Sequence, residues 1–286
     1  MSQSIRIRGV ARVAATLGIF ATSVAAVPTH GAAQSATDVV ERMLSEYASR
    51  VADVDNYTLV QQTMGFETVS YFEKEMVDGR PVFRSRTSVS SMGVTADVSD
   101  DSGLDDVYAI GEELGRRGQY AGVQRVNDYD LHVIEVSDFS GLAFGEDLAP
   151  DSDFQPKSGT FYLDVDTYVP RRIEFVGSLT NEEGVHDITS IIEMGDFREV
   201  QGMLVPYRTV VTLEGLGAAI DEETRAQFEE MQRELENLPP EQRAMVEQMM
   251  AGQLEQFRSM MAGDDEPMSF QVLVTDVRVN AGPPAG

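Results

Sequence analysis

Side chains able to do chemistry are sparse in this chain. Past the first 34 positions there are two histidines, His132 and His186, and the sequence has no cysteine. An imidazole works as a base or metal ligand only beside suitable partners. His132 lies between Leu131 and Val133 in a strand-like run, and His186 follows a turn at Gly184. Neither has a neighbouring histidine or a helical His-x-x-x-His spacing, which disfavours zinc. A Ser–His–Asp set is assembled in space and stays open, but no Gly-x-Ser-x-Gly motif marks a nucleophile. Acidic pairs at Asp100-Asp101 with Asp105-Asp106, at Asp151 with Asp153, and at Asp164 with Asp166 offer oxygen ligands. None completes a calcium loop with its glycine and terminal glutamate. Gly141–Gly145 lacks the lysine and the strand–helix setting of a phosphate loop. No catalytic residue, metal or cofactor is assigned on these grounds, and the expectation is a protein that is not an enzyme.

Charge narrows the partners. The 286 residues carry 22 Lys+Arg against 48 Asp+Glu, a formal net charge of −26. Such a surface repels nucleic acid and anionic headgroups. The start is different: Arg6, Arg8 and Arg12 precede the apolar run Val13–Val27, and small residues follow to Gln34. A basic head, a short apolar core and a small-residue end form a secretory signal. The run is too short for a spanning helix of about 20 residues, and no other stretch approaches that length. Residues 1–34 are therefore read as a removable signal peptide. The mature chain, with three arginines fewer, has 19 basic against 48 acidic residues, or −29. Its expected location is the periplasm, with extracellular release as the alternative.

The elements that would position any site follow from periodicity. Thr37–Ala52 has apolar residues at helical spacing, with Asp38 near its start. Strand-like runs follow at Tyr57–Met64, Phe66–Met76, Pro81–Val89 and Gly93–Val98, with a hairpin signal at Asp78-Gly79. Residues 100–118 read as a loop and a short helix. Gln119–Val126 and Tyr129–Val136 form a hairpin about Asn127-Asp128. Residues 141–158, rich in Gly, Pro and Asp, read as a loop. Gly159–Val165, Tyr168–Leu179, Val185–Phe197 and Met203–Leu213 come next. In these Phe161, Leu163, Ile173 and Phe175 alternate with polar residues, as in a half-buried antiparallel sheet. Phe270–Val279 is the last strand, and 281–286 reads as a disordered tail. The layout predicts one domain of about ten strands over residues 35–280.

A helical pair interrupts the last strands, inserted at about 219–263. Pro239-Pro240 separates Asp221–Leu238 from Glu241–Met261. Five methionines fall between Met245 and Met261, and methionine adapts to irregular apolar shapes. The stripe serves as core, as a lid over an apolar cavity, or as a dimer or membrane-surface contact. Residues 221–266 hold 13 acids and 4 arginines, unlike basic membrane-surface helices.

Two stretches carry a resemblance. Ser158–Ser178, SGTFYLDVDTYVPRRIEFVGS, and Gly195–Thr209, GDFREVQGMLVPYRT, resemble outer-membrane lipoprotein-sorting proteins of the LolA/LolB-like superfamily. The resemblance implies an α+β fold: a curved antiparallel half-barrel sheet wrapping helices around an apolar cavity. It also implies a periplasmic carrier that shelters lipoprotein acyl chains. The motif residues themselves look structural, with Asp164 and Asp166 suited to a turn and Pro170 and Pro206 to strand starts or edges. The inserted helical hairpin departs from the carrier pattern, and without cysteine the usual lipid anchor is absent.

The expectation is thus a non-enzymatic carrier or binding protein for a hydrophobic ligand such as lipoprotein acyl chains. It would take no nucleic acid and make no stable membrane span. Phe161, Leu163, Ile173, Phe175, Val205 and Tyr207 are the sheet-side ligand candidates. Phe228, Met231, Met249, Met250 and Phe257 are the lid candidates. Two alternatives stay open: an envelope interaction module using the acidic surface to bind other envelope proteins, and a hydrolase with an unrecognised site.

Overall fold

The computed structural model describes residues 34–63, 66–91, 94–98, 107–139, 154–181, 184–219 and 267–284, and seven single positions between 226 and 243. Ser35 opens the first helix, α1 (Ala36–Arg50), through a capping box. Its hydroxyl accepts from the Asp38 N–H at 3.1 Å, and the Asp38 carboxylate accepts the Ser35 N–H at 2.8 Å. Asp38 is therefore the third residue of the helix rather than its cap, and the backbone bond from Ser35 holds its carboxyl below the ordinary range. Two otherwise orphaned donors are satisfied reciprocally. Ala36, Val39 and Val40 form the buried stripe, continued by half-buried Met43, Leu44 and Tyr47. The second helix, α2 (Val107–Arg117), buries Tyr108, Gly111 and Leu114.

The strands are β1 (Asn56–Thr63), β2 (Phe66–Val77), β3 (Arg80–Ser91), β4 (Val94–Val98), β5 (Gln119–Val126), β6 (Tyr129–Val136), β7 (Phe154–Asp164), β8 (Pro170–Asn181), β9 (Gly184–Val200), β10 (Met203–Glu214) and β11 (Met268–Val279). They form one antiparallel sheet in the order β4-β3-β2-β1-β11-β10-β9-β8-β7-β6-β5. Short hairpins build both halves. At Asp78-Gly79 and Gln201-Gly202 both central residues have φ between 49° and 91°, the left-handed pair that matches strand twist in a two-residue turn. The last strand joins the halves by pairing with β1 and β10. Asn280 locks this junction: its Oδ1 accepts the Asp55 N–H at 2.7 Å and its Nδ2 donates to the Asp53 carbonyl at 2.9 Å. Strands β4 and β5 are the two ends, so the sheet is open.

Three boundaries differ from expectation. Phe154–Ser158, expected as loop, extends β7 and pairs with β8, with a register irregularity beside Pro156 that absorbs the residue lacking an N–H. Tyr168, expected as strand, has φ 56° and belongs to the turn before Pro170. The described strands number eleven, in keeping with the expected ten or so. Gly282, in the tail expected to be disordered, donates its N–H to the Asn56 side chain at 2.9 Å.

One face of this sheet carries the core. Alternation and register place Ile134, Phe161, Ile173, Ile192, Val211 and Phe270 side by side across β6 to β11. All six belong to one cluster with Ala36, Val39, Val40 and Leu114 of the helices. A second cluster on the same face joins Phe83, Met203, Val205, Val274 and Val279 to Val51 and Val54, just past α1. The end of α1 also reports curvature. The Arg50 guanidinium donates to the Thr167 carbonyl at 2.6 Å, in the β7–β8 turn, while the Lys74 ammonium, on β2, donates to the Ala52 carbonyl at 2.9 Å. On a flat sheet β2 and β8 would stand about 24 Å apart at about 4.8 Å per strand. Here both reach the same helix end, so the sheet is bent around it: a curved half-barrel with its helices on the concave side.

Candidate functional site

The concave face is the candidate site. Of the six sheet-side candidates, Phe161, Leu163, Phe175 and Val205 are buried, and Ile173 and Tyr207 are partly buried. All point to the concave side, as the alternation predicted. They do not form one constellation. Phe161, Leu163, Ile173 and Phe175 pack in the first cluster, where the Phe161 and Phe175 rings meet edge to face at 5.4 Å. Val205 and Tyr207 belong to the second cluster. The lid candidates Phe228, Met231, Met249, Met250 and Phe257 lie outside the described residues. Between 226 and 243, Ala226, Glu230, Arg233, Leu235, Asn237 and Arg243 are helical.

The described helices cover only part of this face. Eleven strands span about 48 Å at about 4.8 Å per spacing, whereas α1 and α2, with 15 and 11 residues, are about 22 Å and 16 Å long and each about 10 Å wide. Leu179, Met194, Met268 and Val272 remain only partly buried beside the first cluster, as do Tyr57, Leu59, Phe72 and Val277 beside the second. None of these eight was among the sequence candidates. Their signal was present in the same alternation, which continues past the motif strands into β9, β11, β1 and β2.

Ser190 breaks the apolar pattern. It lies on β9 between Ile188 and Ile192, opposite Phe175 of β8 and Leu213 of β10. Its exposure is 0%, and its hydroxyl has no hydrogen-bond partner. Sequence reading missed it, although a serine in step with Ile188 and Ile192 is visible as a polar residue on an apolar face.

The titratable groups have partners of their own. His132 is buried, with Nδ1 2.9 Å from the Tyr120 hydroxyl and its ring stacked on Tyr168 at 5.4 Å. Burial pushes its pKa down, opposed by the nearby Asp164 charge, and burial raises that of Tyr120. The partner of His132 is thus a phenol rather than a serine or carboxylate. His186 lies opposite Leu179 on β9, three strand spacings from β6 or about 14 Å, so the two histidines share no site. The Asp164 Oδ1 accepts the Asp166 and Thr167 N–H groups at 3.1 and 2.9 Å and the Thr167 hydroxyl at 2.9 Å; Oδ2 accepts from Arg171 Nε at 3.0 Å. Burial would raise this carboxyl, but the bonds from Thr167 and Arg171 outweigh it and the net shift is downward. Arg171 is held between the Tyr129 and Phe197 rings, 4.1 and 4.6 Å from their centroids. The Asp-x-Asp-Thr and Arg-Arg words therefore build a turn and its clamp. Pro170 starts β8, and Pro206 precedes the stretch where β10 pairs with β11.

On the other face Tyr162, Arg172 and Glu193 stand directly across β7, β8 and β9, with Glu174 bonded to Arg172 and to the Tyr162 hydroxyl. Burial and the Glu174 charge push the Tyr162 pKa up to about 12. Among the described residues no group of three His, Asp or Glu could hold a metal ion, and no helix is long and apolar enough to cross a membrane.

No protein-family model matches the sequence, and no curated protein matches it. Several solved structures are similar. A domain from Vibrio parahaemolyticus described as an outer membrane lipoprotein-sorting protein is 11% identical, with a TM-score of 0.38, over 86% of this chain and 95% of that one. A DUF1329 family protein from Desulfovibrio piger is 11% identical, with a TM-score of 0.40, over 87% and 93%. The Mycobacterium tuberculosis lipoprotein LppX is 11% identical, with a TM-score of 0.22, over 51% and 91%. The half-barrel class itself stands on this chain's strand order, its single core face and the bending of its sheet around α1.

Proposed function

We propose that this chain is an exported envelope carrier or binding protein that shelters a hydrophobic ligand, such as a lipoprotein acyl chain, against its concave face. The observation that carries the reading is the excess of apolar sheet over described helix, with half-buried residues flanking both clusters. Each methylene moved onto such a surface contributes about 0.8 kcal/mol, so part of one acyl chain suffices for useful affinity without covalent steps. Phe161, Leu163, Ile173, Phe175, Val205 and Tyr207 form the inner wall in this proposal. Phe228, Met231, Met249, Met250 and Phe257 form its cover, within an insertion at about 219–263 of a single domain over 35–280. Residues 1–34 would direct export to the periplasm.

Native mass spectrometry of the exported protein, with lipid extraction, tests this. Stoichiometric lipid on the intact chain, reduced in a folded variant lacking residues 221–262, is the expected result. A ligand-free intact chain that also takes up no acyl probe in solution would overturn it. The net charge of −26 favours a second reading, an acidic interaction module. Its mark is capture of a basic envelope partner that weakens as salt rises.

A further inference from the structure

We propose that Ser190 is the polar anchor of the concave face, donating its hydroxyl to the carbonyl of an ester- or amide-linked acyl chain and selecting it over a free fatty acid. This rests on the carrier reading above and specifies its ligand class. A buried hydroxyl without a partner is unfavourable, since it has given up its bonds to water. Alanine at the same place would leave nothing unsatisfied. Ser190 is fully buried and unpartnered, and the residues around it on that face, Ile188, Ile192, Phe175 and Leu213, offer neither donor nor acceptor side chains. By contrast the buried titratable groups His132, Asp164 and Glu174 all have side-chain partners. The unsatisfied group thus faces the concave side proposed to receive the ligand, beneath packed apolar side chains that a bound chain would displace.

The surroundings define what it takes. A hydroxyl gives one donor and accepts two bonds. It fits a ligand with one polar atom in an otherwise apolar body, and a carbonyl oxygen is such an atom. A carboxylate does not fit, because a buried charge needs an opposite charge or several donors. None of the four neighbours is charged, and the chain as a whole carries −26. Neutral acyl carbonyls are therefore favoured, whether in a glyceride, a lipoprotein thioether-linked diacylglycerol or an amide-linked chain.

The experiment compares 1-monopalmitoylglycerol with palmitate, by calorimetric titration, on the full exported chain and its Ser190→Ala variant. On the unaltered protein the ester should bind about tenfold more tightly than the acid. Ser190→Ala should lose about fivefold to tenfold for the ester, the worth of one hydrogen bond, leave palmitate unchanged and not lower the melting temperature. Ser190→Cys, similar in size with a weaker donor, should fall between. Unchanged ester affinity in Ser190→Ala, or an equal loss for both ligands, overturns the assignment. Failure of both ligands to bind the unaltered protein overturns the carrier reading itself, and this site with it.

Discussion

Replacing Asp164 by alanine removes one group with two structural tasks, and the cost follows from what it leaves behind. Its side chain is 9% exposed and that of Arg171 is 15% exposed. The lost carboxylate strands the Arg171 guanidinium between two aromatic rings and frees the Asp166 and Thr167 N–H groups of the β7–β8 turn. Breaking a buried pair from one side typically costs about 3–5 kcal/mol. Because the turn is near the surface and water reaches part of it, about 3 kcal/mol is expected. Asp164→Asn keeps an acceptor for the turn but loses the charge, and should cost about 1–2 kcal/mol. The chain has no tryptophan, so urea unfolding followed by far-ultraviolet circular dichroism is the suitable assay. Combining Asp164→Asn with Arg171→Met, which keeps the aliphatic stem between the rings, isolates the pair's coupling in a double-mutant cycle. The pH dependence gives an independent check. The folded-state pKa of Asp164 lies below its ordinary value of 3.8, so the unfolded chain takes up the proton first. This contribution is complete above the unfolded pKa and is lost as pH falls through the folded one; Asp164→Asn should lack that slope. An Asp164→Ala protein within 1 kcal/mol of the unaltered one would refute the assignment of this motif to the fold.

Two further outcomes follow from the same geometry. Burial lowers the pKa of His132 below its ordinary value of 6.5, so the unfolded chain binds the proton more readily. Stability should therefore be full above about pH 6.5 and fall as pH drops below it, and a His132→Phe variant should flatten that window in melting curves taken from pH 7.5 to 5. Gly159→Ala would place a Cβ 2.5 Å from the Phe175 ring and 2.9 Å from the Glu174 carbonyl; an overpacking loss of about 1–3 kcal/mol is expected in urea unfolding, with partial recovery when combined with Phe175→Leu.

Much of the sheet was legible because alternation is a local property of the chain. Strands β5, β6, β9 and β10 carry their turns and periods in the sequence, and Phe161, Leu163, Ile173 and Phe175 were correctly placed on one face. What was not legible depends on distant partners. Phe154–Ser158 looks like loop by composition, and only β8 turns it into strand. Asn280 and Lys74 carry no visible signal for their roles, since each acts on backbone groups more than 20 positions away. The separation of the sheet-side candidates into two clusters runs along β10, with Val205 and Tyr207 in one and Val211 and Leu213 in the other, a division no local period encodes. The partner of His132 is Tyr120, twelve positions away, a pairing set by the β5–β6 register.

The anchoring of α1 bears on how a ligand would be held. The Thr37 hydroxyl donates to the Gly115 carbonyl of α2 at 3.0 Å; at the other end Arg50 of α1 reaches the Thr167 carbonyl in the β7–β8 turn, and Lys74 of β2 donates to the Val51 and Ala52 carbonyls. Lys74 is well suited to this, because a cation at a helix C-terminus meets both unsatisfied carbonyls and the negative end of the dipole. Lifting α1 away would break these bonds together and expose Val39 and Val40, both nearly fully buried. The helix is thus a fixed strut that sets the curvature of the sheet. Room for a ligand has to come from beside it, where Leu179, Met194, Met268 and Val272 are already partly uncovered. These residues lie on β8, β9 and β11, in the strands around Ser190, so the accessible apolar surface and the unsatisfied hydroxyl fall in the same part of the concave face.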